Sequence, residues 1–153
     1  MALYLVQHGK SLPKEQDPRK GLSEEGAAEV GRIAEVAAHY GISVSRIVHS
    51  GKQRALQTAE ILAEKLSPAN GVDSIDGIKP LDDATAFGDA LQITDDVMVV
   101  GHLPFLEKLV AYLVTGKTGP PVFRMQNGGI ICMDFYPDST HVVIRWALMP
   151  NVG

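Results

Sequence analysis

An uninterrupted apolar run, Ala2-Leu3-Tyr4-Leu5-Val6, opens the chain and stops abruptly at Gln7-His8-Gly9. Such a short continuous run predicts a strand buried on both faces, and its polar, glycine-flanked end marks where the strand opens onto a loop. Val30, Ile33, Ala34 and Ala37 then recur at helical spacing behind Ser23-Glu24-Glu25, an N-cap with first-turn carboxylates. That helix is expected to run to Tyr40, with Gly41 as its left-handed stop. Arg46-Ile47-Val48-His49 predicts a second strand and Ser50-Gly51 a turn, followed by a helix from Lys52 to Leu66 with Leu56, Ala59, Leu62, Ala63 and Leu66 on one face. Ser67 to Gly77 is polar and broken by Pro68, Asn70 and Gly71, so it reads as a connection holding a short edge strand near Ile75. Asp82 and Asp83 start a short helix through Leu91, and Asp96-Val97-Met98-Val99-Val100 is the clearest buried strand, ending in Gly101-His102. Leu103-Pro104 opens another helix, with Leu106, Leu109, Val110 and Leu113 on its core face and Gly116 as its stop. Three strands are expected after it: Val122 to Met125, Gly129 to Phe135 and His141 to Leu148, the last two a hairpin around Pro137-Asp138.

Alternating strands and helices predict an α/β fold, a mostly parallel, doubly wound sheet with helices on both faces and antiparallel strands at the carboxyl-terminal end. The 153 residues suffice for about one domain, 1–153, and the segment before the Asp96 strand is too short for a separate cap domain. The one cysteine, Cys132, lies in the apolar stretch Gly129 to Met133 and reads as a small buried hydrophobe. A cytoplasmic, soluble protein is expected, since no run approaches the roughly 18 apolar residues of a membrane span. A formal net charge of −4 without a basic block argues against nucleic acid as a partner. An anionic ligand must therefore be held by local cations.

Two histidines occupy equivalent places. His8 and His102 each follow an apolar strand beside a glycine, and a doubly wound sheet brings such positions to its carboxyl edge, where ligands bind. Arg54 falls in the first turn of the helix after the second strand, where free N–H groups and the positive end of the helix dipole add to its charge. These groups together describe an anion pocket. His49 lies within its strand, and His39 and His141 in a helix tail and a turn; all three read as structural or solvated. No close-spaced pair such as His-Glu-x-x-His or Cys-x-x-Cys supports zinc, so neither a metal nor another cofactor is expected.

Gln7-His8-Gly9, Ser50-Gly51-Lys52-Gln53-Arg54-Ala55-Leu56-Gln57-Thr58-Ala59 and Gly101-His102-Leu103-Pro104 together resemble the three signatures of the histidine phosphatase superfamily, whose fold is phosphoglycerate mutase-like. The short length, the segment Lys20 to Gly26 and the His-Leu-Pro turn resemble its SixA-type phosphohistidine phosphatases. The resemblance implies that His8 is the nucleophile and that Arg54 and His102 bind the phosphoryl oxygens, with Ser50 and the helix amides supplying further donors. A neutral imidazole is nucleophilic at neutral pH, its phosphoramidate is labile, and phosphoryl transfer mainly demands positioning and charge neutralisation.

The departures from the family pattern carry information. Gln7 stands where the family usually has arginine; an amide still donates to phosphate, but the lost charge implies a deficit of about 1 to 2 kcal/mol. Lys20 stands where a second arginine usually sits, and it, helped by Lys10 or Arg19, is expected to compensate. Some relatives carry a general acid right after the second histidine, where this chain has Leu103; Asp82 and Asp83 are the candidate acids, with a helix N-terminus as their alternative role. Phosphohistidine needs no strong acid to leave. The sequence therefore points to a phosphohistidine-bearing protein as partner, with phosphate or sulfate filling the pocket and neither membrane nor nucleic acid involved. A small-molecule phosphomonoesterase and a noncatalytic phosphate-binding or regulatory module are the alternatives, the second because of Gln7.

Overall fold

The computed structural model describes residues 2–93 and 95–152. The elements run β1 (Leu3–Gln7), α1 (Glu24–His39), β2 (Arg46–His49), α2 (Gln53–Leu66), β3 (Val72–Ser74), α3 (Ala84–Ala90), β4 (Val97–Gly101), α4 (Phe105–Thr115), β5 (Ile130–Phe135) and β6 (Val142–Leu148). The described strands form one six-stranded sheet in the order β3-β2-β4-β1-β5-β6. β3, β2, β4 and β1 pair in parallel, while β5 and β6 add antiparallel strands beyond β1.

Strand alternation sorts the core into two layers. Tyr4 and Val6 of β1 and Met98 and Val100 of β4 pack with Val30, Ile33 and Leu62 from α1 and α2. Leu3, Leu5 and Val99 point the other way, against Phe105, Leu106 and Leu109 of α4 and Ala84 of α3. The two central strands lead to helices on opposite faces: β1 feeds α1, β4 feeds α4, and the crevice at their carboxyl ends is the topological switch point of the sheet. His8 and His102 follow those two strands.

The helix signals act where the sequence puts them. Ser23 caps α1, its Oγ accepting from Gly26 N at 3.0 Å. Gly41 has φ of +72° and Gly116 of +82°. The edge strand expected near Ile75 is β3, one residue earlier. The strand expected over Val122 to Met125 does not form; that stretch is irregular. The Glu107 carboxylate on α4 accepts the Met125 N–H at 3.1 Å, Pro121 has no N–H to give a ladder, and both edges of β5 are already taken by β1 and β6. Cys132 is buried in the sheet, and burial first of all raises its thiol to about 11, which leaves it unreactive. Among the described residues no helix is long and apolar enough to cross a membrane.

Candidate active site

His8 is held by its backbone on every side. Its N–H donates to Gly101 O at 3.1 Å, and Asn127 Nδ2 donates to its carbonyl at 3.0 Å. Gly9 N donates to Thr58 Oγ1 at 3.0 Å, and that hydroxyl donates to Arg54 O at 2.8 Å, which fastens the loop after β1 to the first turns of α2. Gly9 must be glycine, because a Cβ there would lie 2.8 Å from Val30 Cγ2 on α1.

The imidazole itself has one defined tautomer. His8 Nδ1 lies 2.7 Å from Gly9 O, and a carbonyl can only accept, so Nδ1 carries the proton and Nε2 carries the lone pair. Arg54 Nε donates to that Nε2 at 3.3 Å. Burial, reinforced by the Arg54 and Lys20 cations and opposed by the Gly9 bond, pushes the His8 pKa down from 6.5 to about 4. At neutral pH the ring is uncharged and its Nε2 lone pair faces a guanidinium.

His102 stands beside it, its ring centroid 5.0 Å from that of His8, and is almost entirely buried. Its Nε2 lies 2.5 Å from Ser50 Oγ, and its Nδ1 is buried with no hydrogen-bond partner. Burial first, then His8, Arg54 and Lys52, lowers its pKa to about 3. Ser50 also accepts from Lys52 N at 3.3 Å, so its hydroxyl faces His102 and the turn into α2. No side chain caps the α2 N-terminus, which leaves its first amides open beside Arg54. His49 is buried and accepts from Gly51 N at 3.0 Å, a structural role in that same turn; His39 and His141 are exposed.

Alternation puts Gln7 on the opposite face of the sheet from His8. It lines a cavity of about 700 Å³ with Leu103, Glu107, Phe123, Arg124 and Asn127. Its Oε1 is buried without a partner, and Arg124 is exposed with no acidic partner among the described residues. Lys20 sits at φ of +52° in a loop closed by Asp17, whose carboxylate accepts from Arg19 N and Gly21 N, and tied to α2 by Leu22 N on Gln57 Oε1 at 2.6 Å. That tether keeps the Lys20 charge close enough to act on His8. Lys10 is instead committed to Glu25 at 2.8 Å and Glu29 at 3.5 Å. Asp83 caps α3, accepting from Thr85 N and Ala86 N, and Asp82 accepts from Lys79 N. Among the described residues no group of three or more His, Cys, Asp or Glu side chains is placed to hold a metal ion.

The residues that sequence reasoning did not single out are the braces: the Gly9 carbonyl, Thr58, Gln57 and Asn127. Thr58 and Gln57 lie inside the Ser50 to Ala59 motif, whereas Asn127 carries only the turn signal of Asn127-Gly128.

Residues 3–78 match the model of the histidine phosphatase superfamily, branch 1. The chain belongs to that superfamily. Over 156 aligned residues it is 26% identical to phosphohistidine phosphatase SixA of Escherichia coli K12, covering 98% of this chain and 94% of that one. Its fold superposes on the protein histidine phosphatase SixA complexed with tungstate with a TM-score of 0.82 at 24% identity, covering 98% of this chain and 97% of the other. Phosphoserine phosphatase of Entamoeba histolytica in complex with 3-phosphoglyceric acid gives a TM-score of 0.71 at 17% identity and 95% coverage of each chain. The fold likeness thus spans nearly the whole chain, and His8, His102 and Arg54 come together at its switch point.

Proposed function

We propose that this histidine phosphatase hydrolyses phosphohistidine on a protein through a phospho-His8 intermediate. The observation that carries the reading is the His8 ring: Gly9 O holds the proton on Nδ1, and the free Nε2 lone pair faces Arg54 beside His102. In the first step that lone pair attacks phosphorus, and the P–N bond to the substrate imidazole breaks with its electron pair going to that ring. A substrate imidazole already protonated on its other nitrogen leaves neutral and needs no acid. In the second step water attacks phosphorus and His8 leaves as the same Nδ1–H tautomer, the water's proton going to the phosphate product. Arg54 and Lys20 neutralise the oxygens throughout, while Gln7, on the other face of the sheet, brings no charge where the superfamily usually has one.

The likeness to E. coli SixA supports this substrate class, and tungstate, a tetrahedral oxyanion in the SixA complex, supports an oxyanion between the histidines. A single domain without a cap suits a substrate presented on a protein surface, and a lone buried thiol is consistent with the cytoplasm. A phosphomonoesterase would instead require Asp82 or Asp83 to leave its backbone partner and protonate an alkoxide.

Incubation with a labelled phosphohistidine protein, followed by quenching, tests the reading. Label on the wild-type chain and none on His8→Ala, together with a fall in turnover of at least about 10⁴-fold, is the expected result; full activity in His8→Ala ends it. Asp82→Asn and Asp83→Asn are expected to leave phosphoramidate turnover within about twofold. A steep loss on alkyl phosphates instead selects the phosphomonoesterase, and anion binding without any turnover selects the noncatalytic module.

A further inference from the structure

Ser50 and His102 form a buried pair whose hydrogens can be assigned by elimination. A hydroxyl has one proton and two lone pairs. One lone pair of Ser50 Oγ accepts from Lys52 N at 3.3 Å, and the other polar neighbour is His102 Nε2 at 2.5 Å. Both side chains are nearly inaccessible, at 5% and 1% exposure, so the hydroxyl proton has no water to turn to. It goes to Nε2, which must then carry the lone pair of a ring kept neutral by burial, and the ring proton lies on Nδ1. The reverse assignment strands the serine proton in the interior and turns the Nδ1 lone pair toward an anion, whereas the first leaves only the Nδ1–H unpartnered, and a bound anion satisfies it.

We infer that Ser50 is a positioning residue that holds His102 as its Nδ1–H tautomer, so that the ring presents a donor, not a lone pair, to the phosphoryl group. The inference rests on the reading that His8 accepts that group here. Nδ1 is the buried, unpartnered polar atom of this ring, and the ring stands 5.0 Å from the nucleophile's. The two imidazoles then carry opposite assignments from opposite partners: Gly9 O, an obligate acceptor, makes His8 a nucleophile at Nε2, and the Ser50 hydroxyl makes His102 a donor at Nδ1.

Histidine-labelled protein examined by long-range ¹H–¹⁵N correlation, with and without vanadate, tests this directly. The expected result is His102 protonated on Nδ1 in the wild type and in Ser50→Thr, with kcat/KM of Ser50→Thr within about threefold of wild type; Ser50→Ala shifts the ring toward Nε2–H and lowers kcat/KM about tenfold to a hundredfold. Wild-type His102 protonated on Nε2 overturns the inference, as does a Ser50→Ala protein with unchanged tautomer and rate. If Ser50→Ala does not fold, the wild-type and Ser50→Thr spectra decide alone. Failure of the underlying reading is distinct: an unlabelled wild-type His8 removes the phosphatase and the role of Ser50 with it, whereas a labelled His8 beside an Nε2–H His102 removes only the role.

Discussion

The two faces of the sheet furnish the site in different ways. On the α1/α2 face, Arg54 pairs with His8, Thr58 ties Gly9 to Arg54 and Ser50 pairs with His102, and the main polar atom left over is His102 Nδ1. On the α4 face, Gln7 has a buried, unpartnered carbonyl, and it borders a cavity of about 700 Å³ with the unpaired Arg124 at its rim. The first face is built for a fixed chemical task, in which a donor displaced by an ångström loses most of its value. The second has room, and it is where this chain departs from its superfamily. Tolerance for Gln7 follows from that room: its side chain is not woven into the bonds that orient His8.

The largest effect is expected on the closed face. Arg54→Ala removes the cation facing His8 Nε2 and should lower kcat about 10²- to 10³-fold, with Arg54→Lys restoring only part because a point charge replaces a fork. Steady-state kinetics on a phosphoramidate checks both, and a loss smaller than that of a Gln7 substitution inverts the comparison.

The acid limb of the pH profile also reads the closed face. His8 is depressed from 6.5 to about 4 and His102 to about 3, so the nucleophile stays unprotonated, and activity persists, well below pH 6 and falls only as pH drops through about 4. The same depression makes the unfolded chain bind more protons than the folded one below pH 6.5. Stability is therefore full above that value and declines as pH falls toward the folded-state values. A kinetic limb at about 6.5 would mean a solvated His8.

On the open face, Gln7→Arg should raise kcat/KM about tenfold by restoring the missing charge, because the cavity can take the longer side chain. A loss instead would show that the α4 face is as constrained as the other. The smallest effect belongs to the loop between the faces: Lys20→Ala should weaken phosphate binding a few-fold, about 1 kcal/mol, and more at low salt. Titration calorimetry at two ionic strengths measures it, and no change would leave Gln7 uncompensated by Lys20.

Much of this protein was written in local pattern. The apolar runs at β1 and β4, the Ser23 cap, the Gly41 and Gly116 stops and the glycine-flanked histidines each depend on a few neighbouring residues, so the sequence alone determined the layered fold and named His8, Arg54 and His102. It failed at Val122 to Met125, where an apolar stretch with strand composition lies beside a sheet whose neighbouring edges are filled, and where Glu107 takes the N–H that a ladder would need. Only the tertiary structure decided the rest. That Lys10 is spent on Glu25, that Asp83 caps α3, that Asn127 braces His8 from across the chain, and that Ser50 faces His102 are contacts between segments far apart in sequence or between side chains with several local choices. Residue type sets what each group is able to donate or accept; which partner it meets is fixed when two faces of one sheet are closed around it.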